Sequence, residues 1–222
     1  MPIDASSATA VYADSGLFVA LEGGEGAGKS TQAERLRSWL EEAGHDVVLT
    51  FEPGDTPTGR RIRQIVLSPE TGALDDRAEA LLYAADKAEH VATVVWPALQ
   101  RGAVVVTDRY VDSTLAYQGA GRAVPVDELE QIARWATGNL RPHLTVLLDL
   151  DPADGLRRFD GRDRIEGESE AFHGRVRDAF RHMAETEPGR YLVLDATRPA
   201  DEIAGRIRTR VEQLLSGPGE AS

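Results

Sequence analysis

The run Gly23-Gly24-Glu25-Gly26-Ala27-Gly28-Lys29-Ser30 constrains this chain more than any other stretch. It matches glycine, four variable residues, glycine, lysine and serine or threonine. It directly follows the apolar run Leu17-Phe18-Val19-Ala20-Leu21 and opens a segment with Ala33, Leu36 and Leu40 on one helical face. With glycine near 7% of residues, a chance match in a chain this long is on the order of 1%. A strand, a glycine turn and a helix in that order aim backbone N–H groups and the positive end of a helix at phosphate oxygens. Lys29 is then placed for terminal phosphates and Ser30 for a magnesium ion, with Thr31 next on the helix.

The rest of the chain fits one α/β domain. Short continuous apolar runs recur at Val47-Val48-Leu49, Val104-Val105-Val106, Thr145-Val146-Leu147-Leu148 and Tyr191-Leu192-Val193-Leu194. Their lack of polar alternation marks parallel strands covered on both faces. Longer helical patterns lie between them, with Gly44 placed to end the first and Ile203, Ile207 and Val211 marking the last. The expected fold class is therefore α/β: a doubly wound, five-stranded parallel sheet flanked by helices. Residues 1–15 read as a disordered arm, 16–215 as a single domain and 216–222 as a flexible tail.

The formal net charge of −12 excludes a general nucleic-acid or anionic-membrane binder, since both need a basic footprint. A site for phosphates in such a chain must be built from locally placed cations and N–H groups. There is no cysteine, so disulfides and thiolate chemistry are excluded. No run approaches the roughly 20 apolar residues of a membrane span. The opening residues carry Asp4 and Asp14 and neither Lys nor Arg, unlike a secretory leader, so the cytoplasm is expected.

After the third strand comes Asp108-Arg109-Tyr110, then Ser113 and Ala116-Tyr117-Gln118-Gly119. An acid at the carboxyl end of a central parallel strand stands where open α/β sheets bind ligands. Asp108 is a candidate to hold Mg²⁺ with Ser30, and the Arg109 fork can bridge two phosphoryl groups. A switch protein would carry Asp-x-x-Gly here, whereas this chain has Asp108-Arg109-Tyr110-Val111.

With these motifs the chain resembles the thymidylate kinases. Glu25 inside the cradle, Glu52-Pro53-Gly54, Leu81-Leu82-Tyr83-Ala84-Ala85-Asp86, the two segments just named, and Asp163-Arg164-Ile165-Glu166 follow the family's order over residues 17–213. The resemblance implies the P-loop kinase fold, ATP as co-substrate with Mg²⁺, and dTMP as acceptor. It also implies a homodimer, for which the apolar stretch Val91 to Leu99 is a candidate face, although a fully buried helix would read the same. Carried over residue by residue, the ATP side is Gly23, Gly24, Glu25, Gly26, Ala27, Gly28, Lys29, Ser30 and Thr31, joined by Arg158 and Arg198. The acceptor side is Glu25, Glu52, Pro53, Arg63, Tyr83, Lys87, Arg109, Ser113, Tyr117 and Gln118, with Tyr83 stacking on the base and Tyr117 near the sugar. Lys87 stands where the family usually has arginine, which changes the geometry offered to the base.

The stretch Arg157-Arg158-Phe159-Asp160-Gly161-Arg162-Asp163-Arg164 is locally positive in an acidic chain. The resemblance makes it a lid over about 155–168, whose arginines replace one that some relatives carry in the cradle. The catalytic set is then Lys29, Arg109, Arg162 and Arg164, and the metal set Ser30 and Asp108. The expected reaction moves the γ-phosphoryl group of ATP onto dTMP. The rival within the class is another nucleotide or nucleoside acceptor; the rival outside it is a nucleotide-dependent switch or partition protein.

Overall fold

The computed structural model describes residues 10–122, 124–157 and 163–216. Five strands, β1 (Leu17–Gly23), β2 (Val47–Phe51), β3 (Val104–Asp108), β4 (Leu144–Asp149) and β5 (Tyr191–Asp195), lie parallel in the order β2-β3-β1-β4-β5. Each contains one of the apolar runs. Their composition follows from two helical layers. Leu17, Val19 and Leu21 pack with Leu36, Leu40, Ile203 and Ile207, while Phe18 and Ala20 pack with Leu99, Tyr110 and Leu129 on the other side. Both faces of β1 are thus withdrawn from water, and polar alternation would bury unpaired groups.

The described helices are α1 (Lys29–Glu42), α2 (Pro57–Leu67), α3 (Asp76–His90), α4 (Trp96–Gln100), α5 (Val111–Thr114), α6 (Val126–Thr137), α7 (Pro152–Leu156), α8 (Glu170–Thr186) and α9 (Ala200–Leu215). Thr56, Asp75 and Ser169 cap α2, α3 and α8 by accepting backbone N–H bonds at their first turns. Gly44 follows α1 and donates to the Glu41 carbonyl, ending that helix where expected. Wider π-helical turns join α3 to α4 at Val91–Val95 and extend α5 over Leu115–Gly121. Such turns often accompany functional sites, and the second carries Tyr117 and Gln118.

One expectation changes. Residues 10–15, expected to be loose, are tied down: Val11 exchanges backbone bonds with Asn139 (3.0 Å) and Arg141 (2.8 Å), and the Ser15 hydroxyl donates to Leu99 O. In the Val91 to Leu99 stretch, Val91, Val95, Ala98 and Leu99 fill this chain's own core, while Ala92 and Pro97 are exposed and Val94 and Trp96 are half-buried.

The chain leaves β1 toward β2 on one side and leaves β3 toward β4 on the other. The loops after β1 and β3 therefore meet at a topological switch point, where open α/β sheets place ligands.

Candidate active site

The loop after β1 is shaped by glycine geometry. Gly26 and Gly28 have φ of +69° and +90°, values that L side chains rarely adopt, and α1 starts at the next residue, Lys29. The cradle also needs space. A Cβ on Gly26 would meet the Gly155 carbonyl of α7 at 2.5 Å, and one on Gly155 would meet the Glu25 carbonyl at 2.1 Å. Two backbones therefore approach as closely as only paired glycines permit. Lys29 is buried, its Nζ donating to the carbonyls of Gly23 (3.1 Å) and Gly24 (2.8 Å). Burial and the charge of Arg109 lower its pKa against the pull of Glu25 and Asp108. One residue on, Ser30 Oγ donates to Asp108 Oδ2 at 2.6 Å, which joins the cradle to the end of β3.

Arg109 lies between two cavities. Its backbone takes φ +73°, a costly left-handed conformation for a side chain of this size. Glu22, near the end of β1, holds the turn in place. Its Oε1 accepts the N–H groups of Tyr110 (2.8 Å) and Ser113 (3.2 Å), and its Oε2 accepts the Ser113 hydroxyl (2.6 Å). Burial and the nearby Asp112 carboxylate push Glu22 up to about 7. The Arg109 guanidinium then reaches Glu25 Oε1 (2.6 Å), Ser113 Oγ (3.2 Å) and Gly23 O (3.2 Å), and lies 5.0 Å from the Tyr117 ring centroid. Burial alone would raise Glu25, but Arg109, Lys29 and the Tyr117 hydroxyl bring it down to about 2, so it is ionised at neutral pH.

One cavity is lined by every residue expected on the acceptor side: Glu25, Glu52, Pro53, Arg63, Tyr83, Lys87, Arg109, Ser113, Tyr117 and Gln118. The second is lined by Gly26, Gly28, Lys29, Ser30, Thr31 and Asp108 of the expected ATP and metal sets. Glu25, Glu52, Arg63 and Arg109 belong to both walls. Gly23 and Gly24 supply the carbonyls that hold Lys29, and Ala27 is spent on core packing.

The acceptor cavity has a charged, buried floor. Lys87 Nζ forms an ion pair with Glu52 Oε2 at 2.9 Å, and His90 Nδ1 lies 2.8 Å from Glu52 Oε1. The other ring nitrogen of His90 lies 2.6 Å from the Thr50 hydroxyl. Burial would raise Glu52, yet Lys87 and His90 bring it below the ordinary range. Arg63 donates to Pro53 O at 2.7 Å, fixing the loop after β2.

Other expected residues sit elsewhere. Arg164 donates to Val66 O (2.9 Å) and pairs with Glu79, so its guanidinium is held by these groups rather than standing free over the cradle. Arg198 is exposed after β5 and faces Glu202 at 3.6 Å. Arg158 and Arg162 lie outside the described residues. Beyond them, Asp163, Ile165 and Glu166 close one side of the acceptor cavity.

Four residues of this site escaped sequence reasoning: Glu22, Glu79, His90 and Gly155. Glu22 had a signal, as a lone acid in a fully buried strand. Glu79 and His90 had one too, since with Tyr83, Asp86 and Lys87 they repeat at helical spacing on α3. Gly155 had none, because its close contact with the cradle is purely tertiary.

Known proteins resemble this chain in sequence and fold. The family model described as thymidylate kinase matches residues 21–207. A thymidylate kinase of Clavibacter michiganensis subsp. michiganensis is 54% identical over 210 residues, covering 93% of this chain and 99% of that protein. One of Cutibacterium acnes is 54% identical over 201 residues, covering 90% and 98%. The crystal structure of thymidylate kinase from Ehrlichia chaffeensis superposes with a TM-score of 0.75 at 27% identity, over 90% of this chain and all of that one (100%). By sequence, fold and the convergence of these two cavities, the chain belongs to the thymidylate kinase family.

Proposed function

We propose that this chain transfers the γ-phosphoryl group of ATP to dTMP, giving ADP and dTDP. The observation that carries this reading is the position of Arg109, whose side chain lines both the cradle cavity and the acceptor cavity. An oxygen of the acceptor phosphate forms a bond to the γ-phosphorus as the bond from that phosphorus to the β-bridging oxygen breaks. The acceptor is already an anion, so no strong base is needed. Catalysis rests on holding two anions in line and offsetting their repulsion. Lys29 and Arg109 supply that charge, and ionised Glu25 aims the Arg109 fork. The Tyr83 ring gives the base a face to stack on, and Tyr117 packs beside the sugar.

The residues also suit Mg²⁺. Ser30 and Asp108 present hard oxygen donors 2.6 Å apart at the mouth of the cradle. Among the described residues no three His, Cys, Asp or Glu groups converge on a metal site, so phosphate oxygens and water would complete its shell. When bound, the ion would neutralise charge on the triphosphate. Arg158 and Arg162 remain part of this reading as lid cations, Arg198 as a flank of the adenine, and residues 16–215 as a single domain with that lid. The homodimer implied by the resemblance belongs to it as well, with the outward residues Ala92, Val94, Trp96 and Pro97 as its candidate face.

No described helix is long and apolar enough to cross a membrane. The test is a panel of monophosphate acceptors with ATP and Mg²⁺, following ADP release. Turnover that depends on dTMP supports the reading. ADP release indifferent to every monophosphate contradicts it.

A further inference from the structure

Gln118 and Glu79 form a pair that no part of the phosphoryl-transfer chemistry requires. Gln118 is 2% exposed and lines the acceptor cavity beside Tyr83 and Lys87. Its Nε2 donates to Glu79 Oε1 at 2.9 Å. Glu79, itself 1% exposed, has every acceptor position used. Oε1 also receives Arg122 Nε at 3.2 Å, while Oε2 receives Arg122 Nη2 at 3.4 Å and Arg164 Nη2. A carboxylate offers about four lone-pair sites, and all four have donors here.

This saturation fixes the amide. Burial would raise the Glu79 carboxyl, but the donors from Gln118, Arg164 and Arg122 pull it below the ordinary range, so it stays an anion that can only accept. Turning the Gln118 amide over would set its oxygen against that anion at hydrogen-bond distance. The Gln118 Oε1 atom, which has no protein donor among the described residues, is the acceptor left for a ligand. Lys87, on the same cavity wall, has only donors to give.

We propose that Glu79 is a positioning residue for base selection, locking the Gln118 amide so that the site demands a hydrogen-bond donor on the edge of the base. The inference rests on the proposed function and deepens it. Thymine and uracil carry an N3–H that meets this demand. The N3 of cytosine is a lone pair, which would face the Gln118 oxygen and leave both acceptors unpaired. Sites built on such buried polar groups reject the wrong partner strongly, because a mismatch leaves groups without hydrogen bonds.

The test compares Glu79→Gln with wild type, using dTMP and dCMP as acceptors. A glutamine at 79 can donate as well as accept, so the Gln118 amide becomes free to reverse. The ratio of kcat/KM for dTMP over dCMP should fall at least about tenfold. A purely structural role would lower the melting temperature and both kcat/KM values together. An unchanged ratio therefore overturns the inference. Should the variant fail to fold, the side-chain NH₂ signals of Gln118 in the wild-type protein decide. Its bonded proton should stay protected from exchange, with its resonance nearly unmoved, as dTMP is added. A proton that exchanges freely, or moves strongly with ligand, overturns the inference. Wild-type protein that fails to phosphorylate dTMP at all overturns the functional reading as well. An active wild type with an unchanged ratio in the variant removes only the role of Glu79.

Discussion

Ser30 Oγ donates to Asp108 Oδ2 across 2.6 Å, tying the first turn of α1 to the end of β3. The two groups bring oxygen donors from a helix and a strand to the mouth of one cradle. Asp108→Asn keeps the shape and removes the charge. It should raise the Mg²⁺ concentration needed for half-maximal activity by roughly 10- to 100-fold, the usual cost of losing a metal-supporting group. A magnesium titration of ADP release checks this, and an unshifted midpoint removes Asp108 from the metal set.

Arg109→Lys tests the fork rather than the charge. Lysine keeps one positive centre but cannot span Glu25, Ser113 and the Gly23 carbonyl together. Turnover should drop by about 10²- to 10³-fold, the scale seen when one transition-state donor is lost. Steady-state kinetics with a circular-dichroism check on the fold separate this from unfolding.

Glu22 predicts a pH effect on stability. Its folded pKa, about 7, lies above the ordinary carboxyl value of 4.5, so between these the folded state binds more protons than the unfolded chain. The stability it contributes is complete below the lower value and is lost as pH rises through about 7. Glu22→Gln mimics the protonated form. The melting temperature of this variant minus that of wild type should become more positive from pH 5 to pH 8. A difference that stays flat across that range rejects the raised pKa.

Gly155 lies in neither of the two cavities, yet Gly155→Ala should weaken ATP binding. The added methyl would sit 2.1 Å from the Glu25 carbonyl, so the cradle or α7 must shift. An increase in KM for ATP larger than that for the acceptor is expected. Equal changes, or none, would show that the cradle tolerates the displacement.

Tyr83→Ala should act on the other substrate. Stacking on a base is worth about 1–3 kcal/mol in nucleic-acid complexes, so KM for dTMP should rise roughly 5- to 150-fold with little change for ATP. A loss of stability without a change in KM would assign the ring to packing instead.

Much of this fold was legible in the sequence for one physical reason. Strands buried on both faces must be continuously apolar, so Val104-Val105-Val106 and its counterparts marked the sheet, and the glycine spacing marked the cradle. The resemblance then gathered the acceptor residues that line one cavity. What stayed hidden is what tertiary contact decides. Arg164 read as a free lid cation, but the structure spends it on Glu79. Val91 and Val95 read equally well as surface or core, and only the packing against β1 and β3 distinguishes them. Residues 10–15 read as loose because nothing local shows that Val11 will meet Asn139 and Arg141.

The central claim is that a triphosphate site and a monophosphate site meet at Arg109. Its most direct test is binding of a dinucleotide in which adenosine and thymidine are joined through five phosphates. Linking two occupied sites should make this ligand at least about 10²-fold tighter than ATP alone, with most of the gain lost in Arg109→Ala. Binding no tighter than ATP, and no competition from free dTMP, would contradict the claim.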